Sequence, residues 1–118
     1  MVTQLLSETE SAYAWFDITN PSEADFEFLK DKYNLNPASI KDCIEIGHLP
    51  KIEEFDNYNF LIIRSIPTSF DEFSDSLTEI TERISILFNE NFVITVHRGE
   101  IAFLEKIKKN KKHKKLQS

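Results

Sequence analysis

The side chains best suited to chemistry in this sequence are three histidines and one cysteine: His48, His97, His113 and Cys43. Zinc sites need cysteine and histidine ligands at close spacing, and these four residues do not show it. His113 also lies in a run of lysines, whose charge repels a metal ion. We therefore predict that the histidines are structural or solvent-exposed, and that Cys43 is a small apolar residue packed in the core.

The acidic residues could serve calcium binding or hydrolysis, two kinds of chemistry that use carboxylates. The loop DEFSD at 71–75, with Glu79 beyond it, has neither the alternate ligand spacing nor the central glycine of an EF-hand, so we expect a solvated loop. A hydrolase could use Asp17, Asp42 or His97, but the sequence indicates no pairing between them. The chain is therefore predicted not to be an enzyme.

Charge is distributed unevenly along the 118 residues, whose net charge is −6. Residues 1–105 contain all 20 acidic residues and carry −13, whereas residues 106–118 contain seven lysines and carry +7. Such a basic tail can bind polyanions by releasing counterions. Nucleic acid is the less favoured partner, because no aromatic side chains stand between the lysines to stack on bases. The candidate contacts are Lys108, Lys109, Lys111, Lys112, Lys114 and Lys115.

Length and composition exclude several classes of protein. A chain of 118 residues with 41% hydrophobic content suits a single folded domain. The longest apolar run, at 60–63, is far shorter than the roughly 20 residues of a membrane helix, and no secretory signal opens the chain. Two glycines cannot build a P-loop or a dinucleotide fingerprint, and a single cysteine suits a reducing compartment. We expect a soluble cytoplasmic domain without a nucleotide site.

The elements that must position these residues follow from periodicity and turn signals. Ser22 and Asp25 form a capping-box pattern, and Phe26, Leu29 and Tyr33 then recur at helical spacing. The apolar run at 60–63 predicts a central strand buried on both faces. The order of the elements along the chain, β-α-α-β-β-β-β-α, predicts an α/β fold of the α+β type, with a mixed, mainly antiparallel sheet and helices packed on it. The predicted elements are strands at 13–18, 51–55, 58–66, 80–88 and 92–97, and helices at 21–33, from 37 to a stop at Gly47, and from Gly99 onward.

Four stretches carry a resemblance when they are taken in this order and spacing. They are WFD at 15–17 followed by Pro21, NP at 36–37 leading to IKDCI at 40–44, HLPKIEEFDNYNF at 48–60, and NFVITVH at 91–97. Together they resemble the cytoplasmic amino-terminal domain of the CorA family of magnesium and cobalt transporters. The resemblance covers about residues 13–107.

The resemblance implies a CorA soluble-domain fold at 1–107, and a basic tail at 108–118 that begins a longer helical region. CorA-like proteins are homopentameric channels with a cytoplasmic funnel, a stalk helix, two carboxy-terminal membrane helices and a Gly-Met-Asn pore signature. The stalk, the membrane helices and the pore signature are not found in this sequence. We therefore expect a fragment, at the cytoplasmic face of the plasma membrane, that regulates a channel and cannot transport ions alone. The alternative is a free-standing domain that binds nucleic acid or anionic membrane through its lysine tail.

The resemblance also implies a regulatory Mg²⁺ site, with Co²⁺ as a further ion carried by the parent protein. In the family, an acid at the end of the second helix faces a carboxylate on the stalk of the next subunit, and the matching position is Asp42. Many relatives have a second acid just before it, where this chain has Lys41. The alternative is that Asp42 is a solvated acid near a helix end. Lys51 and Glu53 are expected to pair or to face solvent.

Overall fold

A computed structural model describes residues 1–9, 11–45, 50–65, 82–99, 104, 106 and 107. These residues form six strands and two helices, and no helix among them is both long and apolar enough to cross a membrane. The strands are β1 (Val2–Leu6), β2 (Ala14–Thr19), β3 (Lys51–Glu54), β4 (Asn59–Ser65), β5 (Glu82–Phe88) and β6 (Phe92–His97), and the helices are α1 (Glu23–Tyr33) and α2 (Pro37–Ile44).

The strands form one sheet in the order β1-β2-β6-β5-β4-β3. β2 and β6 are parallel, and the other neighbouring strands are antiparallel. The predicted mixed, mainly antiparallel sheet is therefore confirmed. The parallel pairing aligns Asp17 with Thr95 and Thr19 with His97, which brings the end of β2 beside the end of β6.

The two helices begin where the sequence places their caps. At the start of α1, the Asp25 carboxylate accepts a hydrogen bond from the Ser22 N–H at 2.9 Å. At the start of α2, the Asn36 side chain accepts one from the Ala38 N–H at 2.8 Å, and Pro37 occupies the first helical position. α2 ends at Ile44 with an extended residue after it, earlier than the predicted stop at Gly47, which lies outside the described residues.

The main core lies between the helices and one face of the sheet. The predicted face of α1 is confirmed, because Phe26 and Leu29 are 1% exposed and Tyr33 packs against the same cluster. Alternate residues of the strands supply the opposite side of this core, since successive side chains of a strand point to opposite faces. The buried strand residues of this cluster are Ala14, Phe16, Ile18, Phe60, Ile62, Leu87, Phe92, Ile94 and Val96.

The second face of the sheet carries a smaller cluster. Ile84 and Leu104 are buried there, and Trp15, Ile63 and Ile86 are partly buried against them. Leu104 belongs to a helical stretch with Lys106 and Ile107, in agreement with the predicted last helix, most of which lies outside the described residues. A segment after β6 therefore contributes to covering this face.

Two expectations about the strands were incomplete. β1 was not predicted; it pairs with β2 and places Val2 opposite Ile18. β4 is not central, because only the four-residue edge strand β3 lies beyond it. Within the apolar run, Phe60 and Ile62 are fully buried under the helices, whereas Ile63 on the other face is only half-buried. A continuous apolar run does not distinguish a strand one place from the edge from a central one, because both faces can be covered at either position.

Candidate functional site

Asp42 lies in the last turn of α2, in the middle of a group of charged side chains. A carboxylate near a helix C-terminus is unfavourable by about 0.3–1 kcal/mol, because the helix dipole is negative there. A nearby cation offsets this cost. Lys51 on β3 supplies it, with its Nζ 2.5 Å from Asp42 Oδ2.

Lys51 holds a second acid as well, since its Nζ lies 2.5 Å from Glu53 Oε1. The hydrogen bond to Asp42, followed by that to Glu53, raises the pKa of the Lys51 ammonium above its usual value. The predicted pairing of Lys51 with Glu53 is thus confirmed, whereas its contact with Asp42 was missed. Asp42 is not simply a solvated acid, because its side chain is 19% exposed and bound to this ammonium.

Two arginines, one on β5 and one just after β6, bind the carbonyl groups at the end of α2. Arg83 on β5 donates to the carbonyl oxygens of Asp42 and Glu45, and burial lowers the pKa of its guanidinium. Arg98, just after β6, donates to the Ile44 carbonyl oxygen at 2.7 Å. Cations at a helix C-terminus satisfy its last carbonyls and oppose its dipole. The end of α2 is consequently held against the sheet by three basic residues, which are Lys51, Arg83 and Arg98.

Lys41, the residue before Asp42, points away from the Lys51 ammonium. Its Nζ lies 3.6 Å from Glu45 Oε1, and its side chain is 73% exposed. Among the described residues, no three side chains of His, Cys, Asp or Glu lie together in one group. A cation at Asp42 would therefore have at most two such side chains around it from the described residues.

The donor set at Asp42 does fit a hydrated divalent ion in one respect. Asp42 and Glu53 direct one carboxylate oxygen each at the same ammonium, so the two oxygens converge on a single cation position. Magnesium usually takes one or two carboxylates and keeps several waters. The pair offers that number of carboxylates, but only if Lys51 withdraws. Among the described residues, Asp42 and Glu53 are the two side chains that would hold such an ion.

A buried pair of Asp17 and His97 is the second polar cluster, and the sequence indicated no such pairing. Nε2 of His97 lies 2.9 Å from both carboxylate oxygens of Asp17, and both side chains are 1% exposed. The pairing was missed because the residues are 80 positions apart and meet only through the parallel β2–β6 register. The sealed environment excludes water and substrate from this carboxylate–imidazole pair, so it does not resemble an open hydrolytic site.

Cys43 is a core residue, as predicted. It is 4% exposed and packs in the main cluster. Burial raises the pKa of its thiol to about 12. The thiol is therefore protonated at neutral pH and is a poor nucleophile, since the thiolate is the reactive form.

Several predicted residues lie outside the described part of the chain. They are His48, His113, the acidic loop at 71–75 with Glu79, and the six tail lysines Lys108, Lys109, Lys111, Lys112, Lys114 and Lys115.

The fold is similar to that of solved CorA and ZntB structures. It is similar to the soluble domain of CorA from Methanocaldococcus jannaschii, with a TM-score of 0.63 and 16% identity over 88% of this chain and 39% of that one. The complete CorA magnesium transporter from the same organism gives a TM-score of 0.68 and 19% identity over 93% of this chain and 32% of that one. The ZntB cytoplasmic domain from Vibrio parahaemolyticus RIMD 2210633 gives 0.66 and 14% identity, over 87% of this chain and 41% of that one. These likenesses show an α+β fold that resembles the soluble domain of CorA.

The sequence comparison identifies the family. Residues 10–118 match the family described as "CorA-like Mg2+ transporter protein", and the chain belongs to this family. It is also 26% identical over 103 residues to the Bacillus subtilis (strain 168) protein named "Putative metal ion transporter YfjQ". That match covers 87% of this chain and 30% of the relative, so the chain spans less than a third of the relative's length.

Proposed function

We propose that this chain is the cytoplasmic regulatory domain of a divalent metal-ion transporter, non-catalytic and unable to transport ions alone. The observation that carries the proposal is the match of residues 10–118 to the CorA-like family. The fold shared with the soluble domain of CorA supports the same assignment. The substrate, Mg²⁺ with Co²⁺ as a further ion, and the position at the inner face of the plasma membrane are parts of the proposal.

Asp42 is the residue through which the domain is proposed to respond to its ion. The support is geometric: Asp42 and Glu53 converge on one cation position, and an ammonium now occupies it. A bound Mg²⁺ would supply two positive charges where Lys51 supplies one. Lys51 therefore competes for the same carboxylates, which makes the proposed site weak and suited to regulation rather than storage.

The complete protein is further proposed to self-associate as a homopentamer, as the resemblance implies. A site built from one or two carboxylates per chain would then be completed by oxygens from a neighbouring subunit, so that ion occupancy and subunit packing are linked. Chemical cross-linking or native mass measurement of the complete protein in detergent tests this part. A monomer at all protein concentrations would contradict it.

Reading the gene beyond codon 118 tests the assignment as a transporter domain. The expected result is a continuing frame that encodes a long helical stretch, two apolar segments and Gly-Met-Asn. A stop codon at that point would overturn the proposal that this domain regulates a channel, and binding of the tail to polyanions would become the next assay.

The role of Asp42 is tested in the complete protein by comparing Asp42→Asn with Asp31→Asn, which removes an exposed acid from α1. Ion flux is measured as internal magnesium is raised. The expected result is that Asp42→Asn shifts the magnesium dependence of closure and Asp31→Asn does not. An unchanged dependence in both variants would remove Asp42 from the regulatory site.

A further inference from the structure

Arg83 joins β5 to the end of α2 through the backbone of the helix. It lies on the helix-covered face of β5 with Ser85 and Leu87, because alternate residues of a strand point to the same side. Nη2 of its guanidinium donates to the Asp42 carbonyl oxygen, and Nη1 donates to that of Glu45. One side chain of the sheet therefore binds two carbonyl groups that lie 41 and 38 positions away in sequence.

The carbonyl groups at this end of the helix need donors from outside it. The Glu45 N–H donates to the Lys41 carbonyl oxygen at 2.9 Å, and Glu45 itself is extended, so the helix stops at Ile44. The last carbonyl groups of a helix have no partner within the helix. Arg98 supplies one donor, to the Ile44 carbonyl oxygen, and Arg83 supplies two. Arg83 thus determines more of the backbone at this helix end than any single hydrogen bond could.

The orientation of the Arg83 guanidinium follows the helix end. The group is planar, with its N–H donors in a fixed fork, so two simultaneous bonds fix both its position and its tilt. Nη2 also lies 3.4 Å from Ser85 Oγ, whereas Nε is buried without a hydrogen-bond partner within the described part of the chain. An unpaired buried donor is costly. The carbonyl groups of α2 therefore set this orientation at the expense of one of the guanidinium's own donors.

The surroundings of Arg83 do not favour a cation by charge alone. The β4–β5 register places Arg64 directly opposite Arg83, and like charges in that position repel. Burial, together with the charges of Arg64 and Arg98, lowers the pKa of the Arg83 guanidinium. Hydrogen bonds from a charged donor are stronger than those between neutral groups, and the two carbonyl groups offset these costs.

Asp42 is consequently held at two points from two different strands. Its carbonyl oxygen accepts from Arg83 on β5, and its carboxylate binds Lys51 on β3 at 2.5 Å. Only χ1, which occupies a few staggered positions, separates the Asp42 backbone from its carboxylate carbon. A shift of the last turn of α2 therefore moves the carboxylate relative to Lys51 and Glu53.

We propose that Arg83 is a positioning residue for Asp42: its fork places the last turn of α2 where the Asp42 carboxylate reaches the cation position that it shares with Glu53. Arg83 acts on this position through the backbone of the helix. The binding of an ion there rests on the proposed function, whereas the placement of Asp42 beside Lys51 is a property of the chain with or without an ion.

The first test compares the coupling between Lys51 and Asp42 in two backgrounds. The double-mutant cycle of Lys51→Met and Asp42→Asn is measured by urea unfolding of the 118-residue chain, with Arg83 intact and with Arg83→Lys. Lysine keeps the positive charge but loses the fork. The coupling is expected to fall to less than about half of its original value in the Arg83→Lys background. An undiminished coupling would overturn the proposal.

Asn36→Ala is the matched control, because it removes the cap at the other end of α2 and destabilises the helix without touching its last turn. The Lys51–Asp42 coupling should stay unchanged in this background. An equal loss of coupling in Asn36→Ala and Arg83→Lys would mean that any loosening of α2 has the same effect, and it would overturn a specific role for Arg83.

A measurement on the unaltered chain needs no variant to fold. Nuclear magnetic resonance of the ¹⁵N-labelled 118-residue chain distinguishes a held guanidinium, with separate Nη1 and Nη2 signals, from a rotating one, whose signals average. Separate signals are expected for Arg83. Averaged signals would overturn the proposal, since a freely rotating group cannot hold two carbonyl oxygens.

Titration with magnesium chloride, against sodium chloride of equal ionic strength, separates this inference from the proposed function. The ¹³C carboxyl signals of Asp42 and Glu53 report binding. The dissociation constant for Mg²⁺ should rise by about threefold or more in Arg83→Lys and stay unchanged in Asn36→Ala, because ion sites require closely fixed ligands. Equal constants in wild type and Arg83→Lys would overturn the role of Arg83. No binding in wild type would instead count against the proposed ion site, and the coupling measurement would still decide the role of Arg83.

Discussion

Lys51 is the cation on which Asp42 and Glu53 converge, and Lys51→Met tests the site directly because methionine keeps most of the aliphatic stem. Two unit charges about 4 Å apart attract by about 4 kcal/mol at an effective dielectric near 20, before the cost of desolvation. The Lys51 side chain is 31% exposed and that of Asp42 is 19% exposed, so solvent screens part of this energy. We expect Lys51→Met to lower the unfolding free energy by about 1–2 kcal/mol. This lies between the contribution of an exposed ion pair and that of a hydrogen bond to a charged group.

The assay is urea unfolding of the 118-residue chain at low salt, as a double-mutant cycle with Asp42→Asn. The expected coupling energy is about 1 kcal/mol, and it should shrink as salt screens the charges. Lys41→Met is the matched control, since Lys41 is exposed and pairs with Glu45 only at i,i+4 spacing. Its cost should be a few tenths of a kcal/mol. A coupling energy near zero would mean that the Lys51–Asp42 contact contributes nothing to stability.

The same variants test the proposed ion site. Lys51→Met leaves two carboxylates without their ammonium, so Mg²⁺ should restore part of the lost stability. At ten times the dissociation constant, the restored stability is about 1.4 kcal/mol, measured against sodium chloride of equal ionic strength. The double variant Lys51→Met/Asp42→Asn should lose most of this recovery. An equal response of the two variants to Mg²⁺ would refute the reasoning that Asp42 holds the ion.

Three further predictions concern the fold around the site. Burial raises the pKa of the Cys43 thiol from 9.0 to about 12, which lowers its thiolate fraction at neutral pH by a factor on the order of 10³. Iodoacetamide should therefore alkylate Cys43 only when the chain unfolds. Rapid alkylation of the native chain would contradict this. Burial, followed by the charge of Glu8, raises the pKa of Tyr33 from 10.0 to about 12. The neutral phenol therefore stabilises the fold below pH 10, and this contribution should be lost as pH rises from 10 to about 12. Urea unfolding measured across this pH range should show a smaller loss of stability in Tyr33→Phe than in wild type. Identical pH profiles of the two proteins would contradict this prediction. Asn36→Ala removes the cap of α2 and should cost about 1 kcal/mol in urea unfolding, whereas no cost would mean that another group satisfies the Ala38 N–H.

The starts of α1 and α2 were predicted well because they depend on hydrogen bonds between residues close in sequence. The Ser22–Asp25 capping pattern and the Asn36-Pro37 start depend on residues within a few positions of one another. β1 was missed because VTQLL at 2–6 has no strict alternation, and its place depends on backbone pairing with β2. β4 was placed too centrally, because its neighbours depend on strand order rather than on its own composition.

The sequence by itself determined the composition of the core, the helix starts, the mixed sheet and the resemblance to the CorA family, because these depend on spacing along the chain. Only the tertiary structure decided the partners of the charged residues. Lys51 reaches Asp42 across two elements, Arg83 crosses from β5 to the end of α2, and Asp17 meets His97 through a parallel register. Such contacts follow from strand order and burial, which bring together residues up to 80 positions apart. The sequence shows which side chains are charged, whereas the fold determines which group balances each charge.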